Sequence, residues 1–348
     1  MSQYKPFSPQ ILEDFRSVQD PYADAVIANY APQDLREMHA ALDALQTNAD
    51  AFPAHTKDSL QMLYKEIKKQ HAKVDQEVWE KGFDFFNQHA SDIMLLLGFL
   101  SLPYCYAAAN GAEVLVRSKR IMADPEKRLL ETAEFVFDVM SPNAFAPNGK
   151  GLVSILKVRL MHAMSRWFVV QSEGWNSKAY GLPINQEDMA GTNLAFSLIV
   201  TRGLKKLGQE LSATEVMDYV RYWNGIGAML GVKEELLPQT IKEAYLLERN
   251  IRERQFQSSS AGKQLTEVLL AYFRKATVES PFEGQSDAFV SFLLGENISN
   301  LLGLQTGTVQ RLRFEPYQFL LRFQHRLGLQ KDSYGKAFQQ FKMAWAKD

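Results

Sequence analysis

Cysteine is almost absent from this chain, since Cys105 is the single cysteine in 348 residues. One cysteine excludes an intrachain disulfide framework and any zinc or iron–sulfur site that needs several thiolates from one chain. A metal ion would therefore need histidine or carboxylate ligands. An excess of either charge sign is also missing, because 39 Lys and Arg stand against 40 Asp and Glu. This balance creates no field that would recruit nucleic acid, so we expect no nucleic-acid partner.

Long hydrophobic runs are scarce as well. The longest covers residues 93–102 and is followed by Pro103, so it falls short of the roughly 20 apolar residues that cross a bilayer. The sequence therefore predicts no transmembrane segment, with contact at a membrane surface as the alternative. The first residues, MSQYKPFSPQILEDF, lack the basic and apolar regions of a signal peptide. We expect a cytoplasmic protein.

Strand signals are few, because alternating β-branched runs bounded by turn residues hardly occur. Helical periodicity with recognisable caps recurs instead along the chain. The sequence predicts an all-α fold, a multi-helix single domain. Hydrophobic residues make up 46% of the chain, with 22 Phe and 12 Met, which is enough for a large core that can line an apolar cavity.

The chain divides into two parts by composition. Residues 1–89 contain charged amphipathic helices, and we expect them to form a helical extension packed on a more apolar domain, residues 90–348. Helix starts and stops follow from capping residues, proline and glycine. They predict helices over 33–48 and over 56–89, the latter either straight or bent. Further helices are predicted over 125–140, 152–171, 185–208, from Ser212 onward, and from Pro238 to the serine-rich break at 258–262, followed by two or three more.

The stretch KVRLMHAMSRW, residues 157–167, places one histidine between two arginines in an otherwise apolar helix. With about 100° of rotation per residue, Arg159, His162 and Arg166 occupy successive levels of one helix face. Buried guanidinium groups are costly unless anions meet them. A haem would meet these needs, since its iron accepts a neutral imidazole and its propionates pair with arginine. The alternative is a hydrogen-bonded core histidine, with arginines that reach surface carboxylates.

The predicted helix over 125–140 carries a second set of polar residues. Arg128, Glu131 and Thr132 share one face with the apolar Phe135, so a polar start gives way to an apolar continuation. This pattern suits a pocket with one polar end and an apolar channel beyond it. An ordinary amphipathic helix with an exposed first turn would show the same pattern.

Four stretches together resemble the catalytic domain of the latex-clearing-protein and mpaB-type oxygenase family. They are KRLLETAEFVFDVM (127–140), KVRLMHAMSRW (157–167), GLPINQEDMAGTNLAFS (181–197) and YVRYWNGIGAMLGV (219–232), and the resemblance is strongest over 90–240. The resemblance implies an all-helical protein with a globin-like core that binds haem b. It also implies an activity in which dioxygen cleaves isoprenoid double bonds.

The resemblance assigns roles to particular residues. It implies that His162 is the ligand of the haem iron and that Arg159 and Arg166 pair with the propionates. It places Arg128 and Thr132 on the polar distal side of the haem. On each of the two predicted helices, these are the same residues that helical spacing brings to one face.

Glu131 is the point at which the chain departs from the rubber-cleaving members, which carry a lysine that can bind iron before this threonine. That lysine ligand is missing here, which together with the missing signal peptide argues against rubber itself as the substrate. We expect Glu131, with Arg128 and Thr132, to act in catalysis. Asn185 and Asp188 are explained by helix capping, whereas Met189 and Thr192 are not, and Thr192 is a candidate contact to cofactor or substrate.

The sequence therefore predicts a haem b-dependent oxygenase that activates dioxygen to oxidise or cleave an apolar, isoprenoid-like alkene. A haem-binding sensor or carrier without turnover would need the same histidine and is the main alternative. A helical interaction protein that has lost haem is a third reading. Arg311 and Arg313 are further candidates for a propionate contact, and Tyr222 and Trp223 are either core aromatics or lining of a channel.

Overall fold

The computed structural model describes residues 7–30, 33–118, 123–172, 174–278, 283–304 and 333–345. Within these ranges the chain forms helices, and its one β pairing is an isolated antiparallel bridge between Ala108 and Phe256. The predicted all-α fold is confirmed. Arg311, Arg313 and part of the predicted C-terminal region lie outside the described residues.

The N-terminal part contains five helices. They are α1 (Pro9–Phe15), α2 (Pro21–Tyr30), α3 (Leu35–Asp43), α4 (Asp58–His71) and α5 (Gln76–Leu96). The predicted helix over 56–89, for which a bend was the alternative, is two helices, because the chain leaves α4 at Ala72 and restarts after Asp75. Turn hydrogen bonds from Lys73 N–H to the Gln70 carbonyl and from Val74 N–H to the His71 carbonyl close this break.

The predicted boundary between residues 89 and 90 falls inside α5. Residues on both sides of it, among them Phe86 and Ile93, are fully buried in the same hydrophobic core. Helix α5 and the hydrophobic core both continue across this point. The division into an N-terminal extension, 1–89, and a domain over 90–348 therefore stays a prediction. A π-helical turn over Leu97–Ser101 follows α5 and leads into the next helix.

Five helices follow in the middle of the described chain. They are α6 (Leu102–Tyr106), α7 (Ala109–Arg117), α8 (Pro125–Met140), α9 (Gly151–Gln171) and the short α10 (Ser177–Tyr180). Helices α8 and α9 carry all predicted site residues except Thr192. The predicted start of α8 is confirmed, because the Asp124 side chain accepts a hydrogen bond from Lys127 N–H and Pro125 occupies the first turn.

The remaining described helices are α11 (Gln186–Phe196), α12 (Leu198–Lys206), α13 (Ala213–Met229), α14 (Ile241–Gln255), α15 (Ser260–Ala276), α16 (Ser286–Leu294), α17 (Glu296–Leu301) and α18 (Ser333–Trp345). The helix predicted over 185–208 is two helices, broken at Ser197, whose hydroxyl bonds back to the Asn193 carbonyl. The capping box of Ser212 and Glu215 is confirmed. The helix predicted from Pro238 begins later, at Ile241, because Thr240 caps it.

Two helices organise the packing. Helix α5 runs through the centre and contacts α13 and α18, while α9 lies between α2 and α8. A second, smaller hydrophobic cluster forms where α1, α11, α13 and α14 meet. None of the helices in the described ranges is long and apolar enough to span a membrane.

Candidate active site

A mainly apolar cavity of about 300 Å³ lies between α6, α7, α8, α9, α11, α13 and α14. This volume is in the range of protein pockets that hold small molecules and cofactors. Side chains such as Leu115, Phe135 and Met161 form apolar walls, and His162 reaches the same space. The helix predicted to carry a cofactor ligand therefore borders a cavity that can receive one.

His162 projects from the middle of α9, and its Nδ1 atom is buried without a hydrogen-bond partner. Burial, reinforced by the guanidinium groups of Arg166 and Arg128, lowers the pKa of His162 to about 3. The imidazole is therefore neutral at ordinary pH. A neutral imidazole with an unoccupied nitrogen is the form that binds a metal ion.

Arg159 lies one turn before His162 and is buried in a pair with a distant carboxylate. Its Nε and Nη2 donate to Asp20 Oδ2 and Oδ1 at 2.6 and 2.8 Å, and its Nη1 donates to the Met229 carbonyl at 2.9 Å. These contacts use all three nitrogens, and Arg159 is not among the residues that line the cavity. The predicted contact with a haem propionate gains no support from this arrangement and stays a prediction.

Arg166, one turn after His162, has a different environment. Its Nε donates to Asp24 Oδ1 at 2.7 Å, whereas its Nη2 is buried without a partner. Burial raises the pKa of the Asp24 carboxyl, although the Arg166 charge opposes this shift. One guanidinium donor therefore has no partner, but Arg166, like Arg159, is not among the residues that line the cavity. The propionate contact predicted for Arg166 also stays a prediction.

Helix α8 brings its predicted polar residues to the same cavity. Arg128, Glu131 and Thr132 all line it together with His162. Arg128 Nη1 lies 3.5 Å from Glu131 Oε2, and the Thr132 hydroxyl donates to the Arg128 carbonyl at 2.9 Å. The structure thus unites a guanidinium, a carboxylate, a hydroxyl and a neutral imidazole around one apolar space.

Thr192 on α11 lines the cavity as well, and its hydroxyl donates to the Asp188 carbonyl at 2.9 Å. It also forms a hydrogen bond with the Cys105 thiol, whose pKa burial raises to about 12. Trp223 lines the cavity, whereas Tyr222 is a core residue whose hydroxyl donates to the Val139 carbonyl at 2.5 Å.

Sequence reasoning missed two cavity residues near the start of α11. Ile184 and Asp188 both line the space, although capping alone had explained Asp188. Burial raises the pKa of Asp188 to about 6, against the opposing charge of Arg16. Arg16 lies far away in the sequence, and its Nη1 donates to Asp188 Oδ1 at 3.2 Å. No local signal in the sequence predicts this contact.

The fold and the cavity define the class of protein: an all-α domain with a mainly apolar cavity that is lined by a neutral histidine and a cluster of polar side chains. The chain belongs to the family described as ER-bound oxygenase mpaB/B'/Rubber oxygenase, catalytic domain, whose model matches residues 87–325. The predicted family is confirmed. Membership makes this protein an oxygenase.

Two known proteins show the extent of the similarity. Rubber oxygenase of Streptomyces sp. (strain K30) is 26% identical over 316 residues, which cover 89% of this chain and 77% of that protein. A solved structure of latex clearing protein in the closed state superposes with a TM-score of 0.80 at 23% identity, and the match covers 94% of this chain and 91% of that chain. The structural match shows a shared fold, and it extends beyond the region that the family model covers.

Proposed function

We propose that this oxygenase binds haem b in the cavity through His162 and uses dioxygen to oxidise or cleave an apolar, isoprenoid-like alkene. The observation that carries the proposal is the neutral, partner-free imidazole of His162 facing an apolar cavity inside a domain of an oxygenase family. Bound haem would supply the iron that binds and activates dioxygen.

The residues present fit this group. A haem is a flat apolar ring with two carboxylates, and the cavity offers apolar walls beside His162. The Nη2 of Arg166 is buried without a partner one turn from His162, but Arg166 does not line the cavity, so its contact with a haem carboxylate stays a prediction. Arg128 keeps a positive charge near the imidazole, which favours its neutral, metal-binding form.

The polar residues of α8 would handle protons. Glu131 lies beside Arg128 in the cavity wall, where its carboxylate oxygen can take a proton from an allylic carbon or return one to a reacting oxygen. Arg128 orients that carboxylate through its charge. Thr132 places its hydroxyl oxygen one residue further along the same helix face.

The apolar walls would hold the substrate. They offer no partners to a polar chain and exclude water from the reacting double bond, so an alkene chain fits them best. The name of the Streptomyces relative refers to rubber, a polyisoprenoid, and this supports the isoprenoid class. The shorter isoprenoid alkenes are the substrates that we propose here.

The proposal is tested on purified protein by absorption spectroscopy and oxygen uptake. We expect a Soret band that is lost in His162→Ala, with helix content unchanged in circular dichroism, and oxygen uptake that depends on an added isoprenoid alkene. Full haem retention in His162→Ala would refute the ligand assignment. Haem binding without alkene-dependent uptake would instead support the sensor or carrier.

A further inference from the structure

Ile184, two residues before α11, has a backbone conformation that isoleucine normally avoids. Its φ angle is 50°, and among the described residues it is the single non-glycine residue with a positive φ. The left-handed region is unfavourable for branched side chains, because Cβ approaches the neighbouring carbonyl oxygen. Such strain persists where the surrounding structure fixes it, and it concentrates at functional sites.

The N-terminal chain fixes this conformation from outside. We call residues 16–19 the N-terminal strap. Leu182 N–H donates to the Arg16 carbonyl and Gln186 N–H donates to the Val18 carbonyl, each at 3.0 Å. The Gln19 side chain donates to the carbonyl of Pro183 at 3.1 Å. The strap therefore holds the backbone on both sides of Ile184.

The start of α11 fixes the conformation from the other side. Asn185 caps the helix by accepting from Asp188 N–H at 3.0 Å, and its Nδ2 donates to the Leu182 carbonyl at 2.9 Å. A glycine or an asparagine at position 184 would satisfy this turn with less strain. The turn geometry alone therefore does not explain why the residue is isoleucine.

The cavity offers an explanation, because Ile184 lines the same space as His162, Glu131 and Thr192. We propose that Ile184 is a specificity-determining residue, whose branched side chain the strap holds in the cavity wall to limit the width of the substrate chain. This proposal rests on the proposed function, since it takes the substrate to be an alkene chain in this cavity.

Two hydrocarbons of equal carbon number test the proposal, namely linear 5-decene and the methyl-branched 2,6-dimethyl-2,6-octadiene. Their dissociation constants are measured on the haem-loaded protein by the change in the Soret band and by tryptophan fluorescence. We compare wild type, Ile184→Gly, Ile184→Val and Ile184→Asn. The control is Ile251→Ala, which removes a cavity-lining aliphatic side chain from the regular helix α14.

We expect Ile184→Gly to improve the binding of the branched diene relative to the linear alkene at least 5-fold, with a melting temperature at or above that of wild type. Ile184→Val should retain the wild-type ratio of the two dissociation constants. Ile184→Asn should keep the melting temperature and weaken the binding of both hydrocarbons, because asparagine suits the turn but presents an amide to the cavity. Ile251→Ala should lower the melting temperature and leave the ratio unchanged.

Two results overturn the proposal. An unchanged ratio in Ile184→Gly would leave Ile184 with no part in selectivity, and an equal change in Ile251→Ala would show that cavity volume alone sets the ratio. Failure of the proposed function is a different result, in which wild type binds neither hydrocarbon at concentrations up to their solubility.

Discussion

The pair between Asp20 and Arg159 predicts a large loss of stability when its carboxylate is neutralised. Both side chains are below 10% exposed, at 7% and 4%, so solvent hardly screens the interaction. Asp20→Asn keeps the size of the side chain and a capping acceptor at the start of α2, but it leaves the Arg159 guanidinium buried without a counter-charge. Removing one partner of a buried pair costs about 3–5 kcal/mol.

A pair with the same geometry at the surface provides the matched control. Asp287 accepts from Arg274 Nε and Nη2 at 3.0 and 2.6 Å, but these side chains are 46% and 45% exposed. Exposed pairs contribute about 0.2–1 kcal/mol, so Asp287→Asn should lose no more than that. Both contacts are bidentate, and the two pairs differ in burial and in a second carboxylate, since Arg274 also donates to Glu267 at 2.8 Å.

The assay is urea unfolding followed by circular dichroism on preparations with equal haem content. Asp20→Asn should lower the urea midpoint while the denaturant slope stays constant, which identifies a change in stability rather than in the denatured state. Arg159→Met should then cost less in the Asp20→Asn background than in wild type. A loss for Asp20→Asn no larger than that for Asp287→Asn would refute the reasoning that burial makes this pair strong.

Three further predictions concern the cavity. Glu131→Gln should keep the Soret band and lower alkene-dependent oxygen uptake about 10²-fold. The control Glu126→Gln, on the exposed start of α8, should match wild type. Equal oxygen uptake by the two variants would exclude Glu131 from catalysis. Arg166→Ala should release haem to an acceptor protein faster than wild type, because it loses a contact worth about 1.5–3 kcal/mol. Transfer at the wild-type rate would show that Arg166 does not contact the cofactor. Burial raises the pKa of Asp188 from 3.8 to about 6, so the folded state binds the proton more tightly and the free energy of unfolding falls as pH rises between these values. Relative to Asp188→Asn, wild type should therefore lose roughly 2 kcal/mol between pH 4 and 7 in urea unfolding, and a constant difference would contradict the shift.

Local features of the sequence were sufficient to predict much of the fold. The caps at Asp124, Ser212 and Glu215 lie within a few residues of the groups that they bind, so their hydrogen bonds follow from spacing alone. The break near Ser197 was missed, and the break near Ala72 was expected only as a bend, because the apolar periodicity continues through both. Near Ser197 a residue distant in the sequence also contributes, since the Ser101 hydroxyl donates to the Ala195 carbonyl at 2.7 Å.

The sequence by itself also determined the residues of the site that share a helix face. Arg128, Glu131 and Thr132 are three or four positions apart on α8 and reach the cavity together, as helical spacing requires. On α9 the same spacing placed two arginines beside His162 but could not identify their partners.

Tertiary structure alone decided those partners and the strain at Ile184. Asp20 pairs with Arg159 across 139 positions of the sequence, and Asp24 pairs with Arg166 across 142. A charge in a sequence shows that a counter-charge is needed, but many carboxylates could supply it, and only the packing of α2 against α9 selects one. The left-handed turn at Ile184 exists because the N-terminal strap holds it, and isoleucine in a sequence gives no sign of a conformation that it disfavours.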